Sequence, residues 1–324
     1  MHRPPPRPVR RALTWTLPLA LMLALAAWPS VPASAGDQPA KVLLTQDSPD
    51  QPGLPLHFRT MDGPFRDLQG DSPSRLGLEE LRASGSAQFC EQGLQALKAK
   101  LPPGVVVVDL RQESHGFVNG VAVSWYGVRN WANLGKSALW VQSEEIKLLQ
   151  GLLAAGRATL APMLYKGPDF VDTLGEPINL TVTRVASEGR LCAAQGLGYL
   201  RLAVPDHRRP DDAEVEAFLR LWRRLPPEAW LHFHCRAGKG RTTTFLAMCD
   251  MLKNAGRVSQ EDIGRRQQLL GGIDLLGGKD QKGWKAPYGQ ERGEFLKEFY
   301  EFARQGAAGN WSDWLASQPK AAAR

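Results

Sequence analysis

The stretch Trp230-Leu231-His232-Phe233-His234-Cys235-Arg236-Ala237-Gly238-Lys239-Gly240-Arg241-Thr242 decides how this chain is read. Trp230 to Phe233 is a buried-strand run, and Thr243-Thr244-Phe245-Leu246-Ala247-Met248 opens an apolar helix. Between them stand a cysteine and an arginine with five residues separating them, two of these glycines. A strand, a tight glycine loop and a helix N-terminus aim backbone N–H groups at one small volume, where the helix dipole also favours negative charge. Arg241 adds a planar fork that holds two phosphate oxygens at once. The same surroundings favour a thiolate, so Cys235 is expected to act as a nucleophile on a phosphate ester. A cysteine before a helix is often only a core residue, but Gly238, Gly240 and Arg241 at these offsets argue for chemistry. Gly238-Lys239 does not belong to a Walker-type nucleotide loop, because Phe233 and Gly240 stand where that loop needs glycine and Ser/Thr.

Cys235 and Arg241 match the Cys-x5-Arg signature of the protein tyrosine phosphatase superfamily. Four further stretches resemble the cysteine-dependent, tyrosine-phosphatase-like phytases of bacteria: Asp109-Leu110-Arg111-Gln112-Glu113-Ser114-His115-Gly116, Trp125-Tyr126-Gly127, Asn130-Trp131-Ala132-Asn133-Leu134-Gly135-Lys136-Ser137, and Leu231 to Cys235. The loop signature identifies only the superfamily, and the tryptophan-rich block before it narrows the resemblance to phytases. The similarity runs from about Phe58 to about Leu315. It implies an α/β fold: a tyrosine-phosphatase-like core, with a central mixed sheet flanked by helices, and a small β-rich insertion.

A phosphate ester cleaved through a thiolate needs a proton for its leaving oxygen. Pro205-Asp206-His207-Arg208-Arg209-Pro210 follows a strand and precedes a helix, where the superfamily carries its general acid on a mobile loop. A loop aspartate ordinarily only shapes a turn, yet that position makes Asp206 the candidate acid. Cys235 is then expected to attack phosphorus while Asp206 protonates the leaving group. Water would release the phosphate from sulfur with Asp206 as base, and Arg241 and the loop N–H groups of Arg236, Ala237, Gly238, Lys239 and Gly240 would stabilise the equatorial oxygens. Thr242 is expected to hydrogen-bond the sulfur, and His234 to orient the cysteine. No metal and no cofactor is expected.

Substrate choice rests on charge beyond one phosphate. Arg236 and Lys239 add two cations within the loop, and His207 lies beside the acid. The resemblance implies a further basic ring at Arg59, Lys285 and Arg292, with Asp109 at the site edge orienting a basic neighbour. Lys136, Arg208 and Arg209 are read as solvated surface charges. A ring of cations suits a small polyanion such as inositol hexakisphosphate better than a phosphotyrosine peptide. Related phytases carry an acidic or neutral residue in place of Arg236 and a neutral one in place of Lys239. Here Ala-Gly-Lys-Gly-Arg resembles the inositol-lipid phosphatases instead.

Residues 1–35 read as a secretory signal, with Arg3, Arg7, Arg10 and Arg11, an apolar run from Leu17 to Trp28, and Ala33-Ser34-Ala35 for cleavage before Gly36. The apolar run is shorter than the roughly 20 residues a membrane span needs, so a periplasmic or secreted protein without a stable anchor is expected. The chain counts 40 basic against 33 acidic residues, and without the signal's four arginines 36 against 33. That mild balance argues against nucleic-acid binding. In an exported protein Cys90, Cys192, Cys235 and Cys249 are candidates for pairing; a Cys90–Cys192 bridge and a reversible disulfide of Cys235 are both open.

Residues 36–56 read as a flexible arm, 57–318 as the phosphatase domain with its β insertion at about 158–186, and 319–324 as a tail. Within the domain, helical spacing covers 78–100, 144–153, 188–197, 243–253 and 260–270, and strands 105–109 and 199–204. Trp125, Tyr126 and Trp131 fall in a long loop, their rings read as a packed cap, and Phe295, Phe299 and Phe302 as core. Two other functions stay in view: a protein tyrosine or dual-specificity phosphatase, and a non-catalytic polyanion-binding module. The module would be expected to lack Cys235 or Asp206. The oligomeric state is not legible.

Overall fold

A computed structural model describes residues 42–319 except 69, 162–163, 167–170, 174 and 277–282, and omits the side chains of 164–166 and 171–173. The signal segment, residues 36–41 of the arm and residues 320–324 of the tail lie outside the described residues. From the N-terminal side run β1 (Leu43–Ser48), β2 (Arg59–Thr60), β3 (Ala83–Ser86), α1 (Glu91–Lys100), β4 (Val105–Asp109), β5 (His115–Val118) and β6 (Val121–Tyr126). After them come α2 (Ala138–Ala155), β7 (Arg157–Leu160), β8 (Leu164–Lys166), β9 (Val171–Thr173), β10 (Ile178–Thr181), β11 (Val185–Ala186) and α3 (Glu188–Ala194). The remainder is β12 (Gly198–Arg201), α4 (Asp212–Arg224), β13 (Trp230–His234), α5 (Gly240–Asn254), α6 (Gln260–Leu269), α7 (Ala286–Arg304) and α8 (Trp311–Ser317).

The central sheet has the order β12-β4-β13-β3-β2; its first four strands are parallel and β2 is antiparallel. The valines of β4 alternate between the two faces, with Val108 in one core and Val105 and Val107 in the other. One core holds Phe218, Phe233, Phe245, Phe295 and Phe299 against α4, α5 and α7, and the other holds Phe89, Leu94 and Leu191 against α1 and α3. Burial on both faces is what lets a parallel strand be a continuous apolar run. The expected fold class is the one found: a central mixed sheet flanked by helices.

A second sheet, β1-β6-β5-β11, is antiparallel throughout, and β7 pairs with β10 beside it. Val118, Val123, Leu160 and Val182 form its core. Five short strands thus fall in or next to the stretch read as a β insertion; β11 joins the sheet built on β1, β5 and β6, β7 and β10 lie beside it, and β8 and β9 pair with each other.

Four local expectations are corrected. Residues 43–48, part of the supposed flexible arm, are an ordered strand paired with β6, because Thr45 buries its hydroxyl against Ser124 and Asp47 is claimed by two arginines. The helix expected over 78–100 is confined to 91–100, and 83–86 is a strand. Its small residues let α5 lie directly on it: a Cβ at Gly85 would come within 2.5 Å of Thr242. Trp125 and Tyr126 end β6 rather than sitting in a loop, since β5 and β6 make a tight hairpin. Helix α2 is longer than the expected 144–153, starting at a Ser137 cap and stopping at Gly156 with φ +64°. Phe295, Phe299 and Phe302 are buried core side chains, as expected.

Candidate active site

Strand β13 delivers Cys235 at its carboxyl end, and residues 235–240 turn tightly into α5. Ligand sites in open α/β sheets form at this end of the strands. Gly238 has φ +67°, and a Cβ there would lie 2.3 Å from the Ala87 amide nitrogen, so only glycine fits where the loop presses on the end of β3. Cys235 is 2 % exposed, and its sulfur accepts a hydrogen bond from Thr242 Oγ1 at 3.3 Å.

Arg241 reaches back from the first turn of α5. Its Nη1 donates to Glu113 Oε2 at 2.7 Å and to the carbonyls of Leu110 and Val204, and its Nη2 donates to Glu113 Oε1 at 3.0 Å. Nη2 also lies 3.3 Å from Asp206 Oδ1, while the buried Nε has no protein acceptor among the described residues. Burial penalises the Glu113 carboxylate, but Arg241 and Arg111 hold its pKa well below the usual range.

Asp206 lies between β12 and α4, as its sequence position suggests. Asn130 Nδ2 donates to its Oδ2 at 3.1 Å, the His207 amide to its Oδ1 at 3.0 Å, and the Trp131 indole to its backbone carbonyl at 2.8 Å. Burial works against its charge, yet Arg241 and His207 hold the pKa at about 2, so Asp206 is ionised while it faces the arginine. Arg292, expected in the basic ring, is buried and donates through Nη2 to His207 O at 2.6 Å; its guanidinium also packs against Gly240. It joins the acid loop to the phosphate loop. His207 stacks edge-on against Trp284 at 4.9 Å, beside half-buried Lys285, and burial with that lysine's charge outweighs Asp206 and lowers its pKa.

Other expected residues lie deeper than the rim. Arg59 is 4 % exposed and sits under the loop, where Nη1 donates to Gly238 O at 2.8 Å and Nη2 to Thr243 Oγ1 at 3.0 Å. Asp109 is not at the edge but fully buried at the end of β4, orienting Arg201 and His115 and accepting from the Tyr199 hydroxyl at 2.9 Å. His234 turns its Nε2 away to Glu188 Oε1 at 2.6 Å, fixing the strand end from which Cys235 springs. Arg236 leans over the Tyr126 ring at 4.9 Å and pairs with Asp47 at 2.6 Å. Ala237 is exposed, and Lys239 bonds the Gly271 carbonyl at 3.2 Å.

Sequence reasoning missed Glu113, Asp47, Asn130, Arg111 and Glu188 as parts of this site. Arg111 bridges Asp47 and Glu113 at 2.8 and 2.9 Å, so buried charges run from Arg236 through Asp47, Arg111 and Glu113 to Arg241. The signal lay in the density of ionisable residues just after an all-apolar strand. Asp109, His115 and Glu188 place ligand atoms within 4.8 Å of one another, the composition of a metal site. Burial disfavours a charged His115, but Asp109 raises its pKa to about 10, and Arg201 stands 3.3 Å from Asp109. These cations already balance the two acids, so the trio fits a charge network better than a metal centre.

Cys90, Cys192, Cys235 and Cys249 are all free thiols, in contrast to the suggested bridge and the suggested Cys235 disulfide. Cys90 caps α1 instead, accepting from the Gly93 amide at 3.2 Å, and Cys192 is sealed in the core, where burial raises its pKa.

Comparison with known proteins gives a consistent picture. The sequence profile of the tyrosine-phosphatase-like phytases ("Inositol hexakisphosphate") matches residues 108–253. A tyrosine-phosphatase-like phytase from Bdellovibrio bacteriovorus shares 36 % identity and a TM-score of 0.66, over 86 % of this chain and 97 % of that one. A myo-inositol phosphatase of this type from Mitsuokella multacida, solved with myo-inositol-(1,3,4,5)-tetrakisphosphate, shares 33 % identity and a TM-score of 0.80, over 87 % of this chain and 48 % of that one. The effector protein HopD2 of Pseudomonas syringae pv. tomato is 32 % identical over 248 residues, covering 74 % of this chain and 52 % of the relative. The chain therefore spans about half the length of HopD2 and of the Mitsuokella protein.

Proposed function

Because the chain belongs to the family of tyrosine-phosphatase-like phytases, we propose that it is an exported phosphomonoesterase that hydrolyses inositol polyphosphates through a phosphocysteine intermediate. The observation that carries this reading is the pairing of Thr242 with Cys235 beside Arg241, whose Nε is a buried donor with no acceptor among the described residues. A phosphate oxygen satisfies such a donor.

In the first step the Cys235 thiolate forms a bond to phosphorus as the ester P–O bond breaks. Asp206 gives its proton to the departing alkoxide. Arg241, kept in plane by Glu113, and the loop N–H groups hold the equatorial oxygens. In the second step Asp206 takes a proton from water, the hydroxide attacks phosphorus, and the S–P bond breaks. The Thr242 hydroxyl then donates to the leaving sulfur. Asp206 acts as an acid only when protonated, and its charge is favoured by Arg241. A phosphate dianion that occupies the arginine fork offsets this pairing and favours the proton on Asp206.

The tetrakisphosphate complex of the Mitsuokella relative supports a small polyanionic substrate. A second reading, action on a protein phosphoester, is kept in view by the Cys235-x5-Arg241 loop, which is shared across the tyrosine phosphatase superfamily. Export rests on the sequence of residues 1–35; no helix among the described residues is long and apolar enough to cross a membrane.

The test is phosphate release in EDTA from inositol hexakisphosphate and from a phosphotyrosine peptide, with Cys235→Ser as control. Release chiefly from the inositol substrate, lost in the variant, is the expected result. Preference for the peptide establishes the second reading, and activity that survives Cys235→Ser overturns the mechanism.

A further inference from the structure

We propose that a shallow cationic groove on the flank of the phosphate loop, walled by Arg66, Arg265 and Lys239, is a second phosphate subsite. It would take one phosphate of an inositol polyphosphate while another lies over Cys235, and so rests on the reading given above.

The groove encloses about 480 Å³, within the roughly 300–1,000 Å³ typical of small-ligand sites. Lys239 belongs to the groove and to the catalytic loop at once. Its backbone lies between Gly238 and Gly240, while its Nζ donates to the Gly271 carbonyl at 3.2 Å, in the turn after α6. Arg66 reaches the same turn from the segment after β2. Its amide donates to Leu269 O at 2.7 Å, and its guanidinium lies so close over Gly271 that a Cβ there would meet Nη1 at 3.2 Å. Gly271 has φ +100°, a conformation that suits glycine alone. Arg265 and Gln268 complete the wall from α6, and Asp67 is the acid among the lining residues. The carbonyl end of α6 helps gather these cations.

Three cations against one acid make a local field of one sign, which attracts an anion before it binds. His57 lies among Lys239, Arg59 and Arg66, and burial together with those three charges lowers its pKa. Ordinary solvated surface charge would account for Arg66 and Arg265 taken alone. What sets this groove apart is Lys239, which ties it to the loop that holds the reacting phosphate. A substrate with a single phosphate has nothing to place there, whereas a polyphosphorylated ring does.

The test is calorimetric titration of inositol hexakisphosphate into the full chain carrying Cys235→Ser, alone and combined with Arg66→Gln and Arg265→Gln. Both arginines are exposed, so the variants keep the fold. The expected result is an affinity loss of about tenfold or more for the double arginine variant, given the strength of charge-assisted hydrogen bonds, and a gain for Asp67→Asn. In the active chain, kcat/KM for the hexakisphosphate should fall about tenfold more than for p-nitrophenyl phosphate. Unchanged affinity in every variant overturns the subsite. Binding of inorganic phosphate that depends on the two arginines, with hexakisphosphate binding unaffected, overturns its assignment to the ring. Hexakisphosphate bound through the arginines yet never hydrolysed by the active chain would sink the phytase reading and leave the groove standing.

Discussion

Arg241 and Glu113 form a two-pronged ion pair, Nη1 to Oε2 at 2.7 Å and Nη2 to Oε1 at 3.0 Å, with both side chains all but inaccessible to solvent. The pair fixes the plane of the guanidinium and leaves Nε with no partner among the described residues. Glu113→Gln keeps the shape and removes the charge. Removing one partner of a buried pair typically costs about 3–5 kcal/mol, and the shared contact with Arg111 places this variant at about 3. Denaturant unfolding should show that loss, together with a fall in kcat/KM on every phosphate ester. An unchanged midpoint would mean that Glu113 is not what holds the arginine.

Asp206→Asn removes the proton donor while Asn130 and Trp131 still frame the loop. General acid–base catalysis contributes about 10²–10⁴-fold, so kcat on the inositol substrate should fall within that range. The loss should shrink on p-nitrophenyl phosphate, whose leaving group needs no proton. Equal losses on the two substrates would argue against an acid at this position.

His115 ties stability to pH. Burial opposes its charge, but Asp109 prevails and the folded pKa is raised to about 10, against about 6.5 in an unfolded chain. A raised pKa means that the folded state binds the extra proton. Its contribution is therefore complete below about 6.5 and is lost as pH climbs through about 10. Urea unfolding between pH 6 and pH 10 should show stability falling across that window. His115→Gln, less stable at the start, should show a flatter slope.

Asp47 sits between Arg236 and Arg111, at 2.6 and 2.8 Å. Asp47→Ala leaves two buried or half-buried arginines facing one another, and should cost about 3 kcal/mol and raise KM for the hexakisphosphate. A neutral outcome would make β1 the dispensable arm that its composition suggests.

Cys90, Cys192, Cys235 and Cys249 are buried and unpaired. Titration in denaturant without reductant should find all four as thiols. A count lower by two would reveal a bridge.

Much of this arrangement was legible in the sequence because it is local. Cys235, Arg241 and Thr242 lie in one loop and helix turn, and Asp206 follows a strand in a segment bounded by prolines. What escaped depends on partners far along the chain. Asp47 reads as part of a loose, polar arm until Arg111 and Arg236, 64 and 189 residues away, are seen to claim it. Glu113 was visible in a quoted string but lacked a role without Arg241, 128 residues on. Arg59, Arg292 and Asp109 follow from the family resemblance, and no spacing rule tells whether they face solvent or lie under the loop. Residues 83–86 were misread because small residues carry almost no hydrophobic period. Their strand exists because α5 packs on it.

The central claim is that Cys235 carries the phosphoryl group. The most direct measurement mixes the Asp206→Asn chain with inositol hexakisphosphate, quenches in denaturant within the first turnover, and maps the modified peptide by mass spectrometry. Slowed protonation and slowed hydrolysis should let a phosphorylated peptide containing Cys235 be detected, and Cys235→Ser should abolish it. Phosphate released over that turnover with Cys235 never modified, or release that persists in Cys235→Ser, would contradict the account.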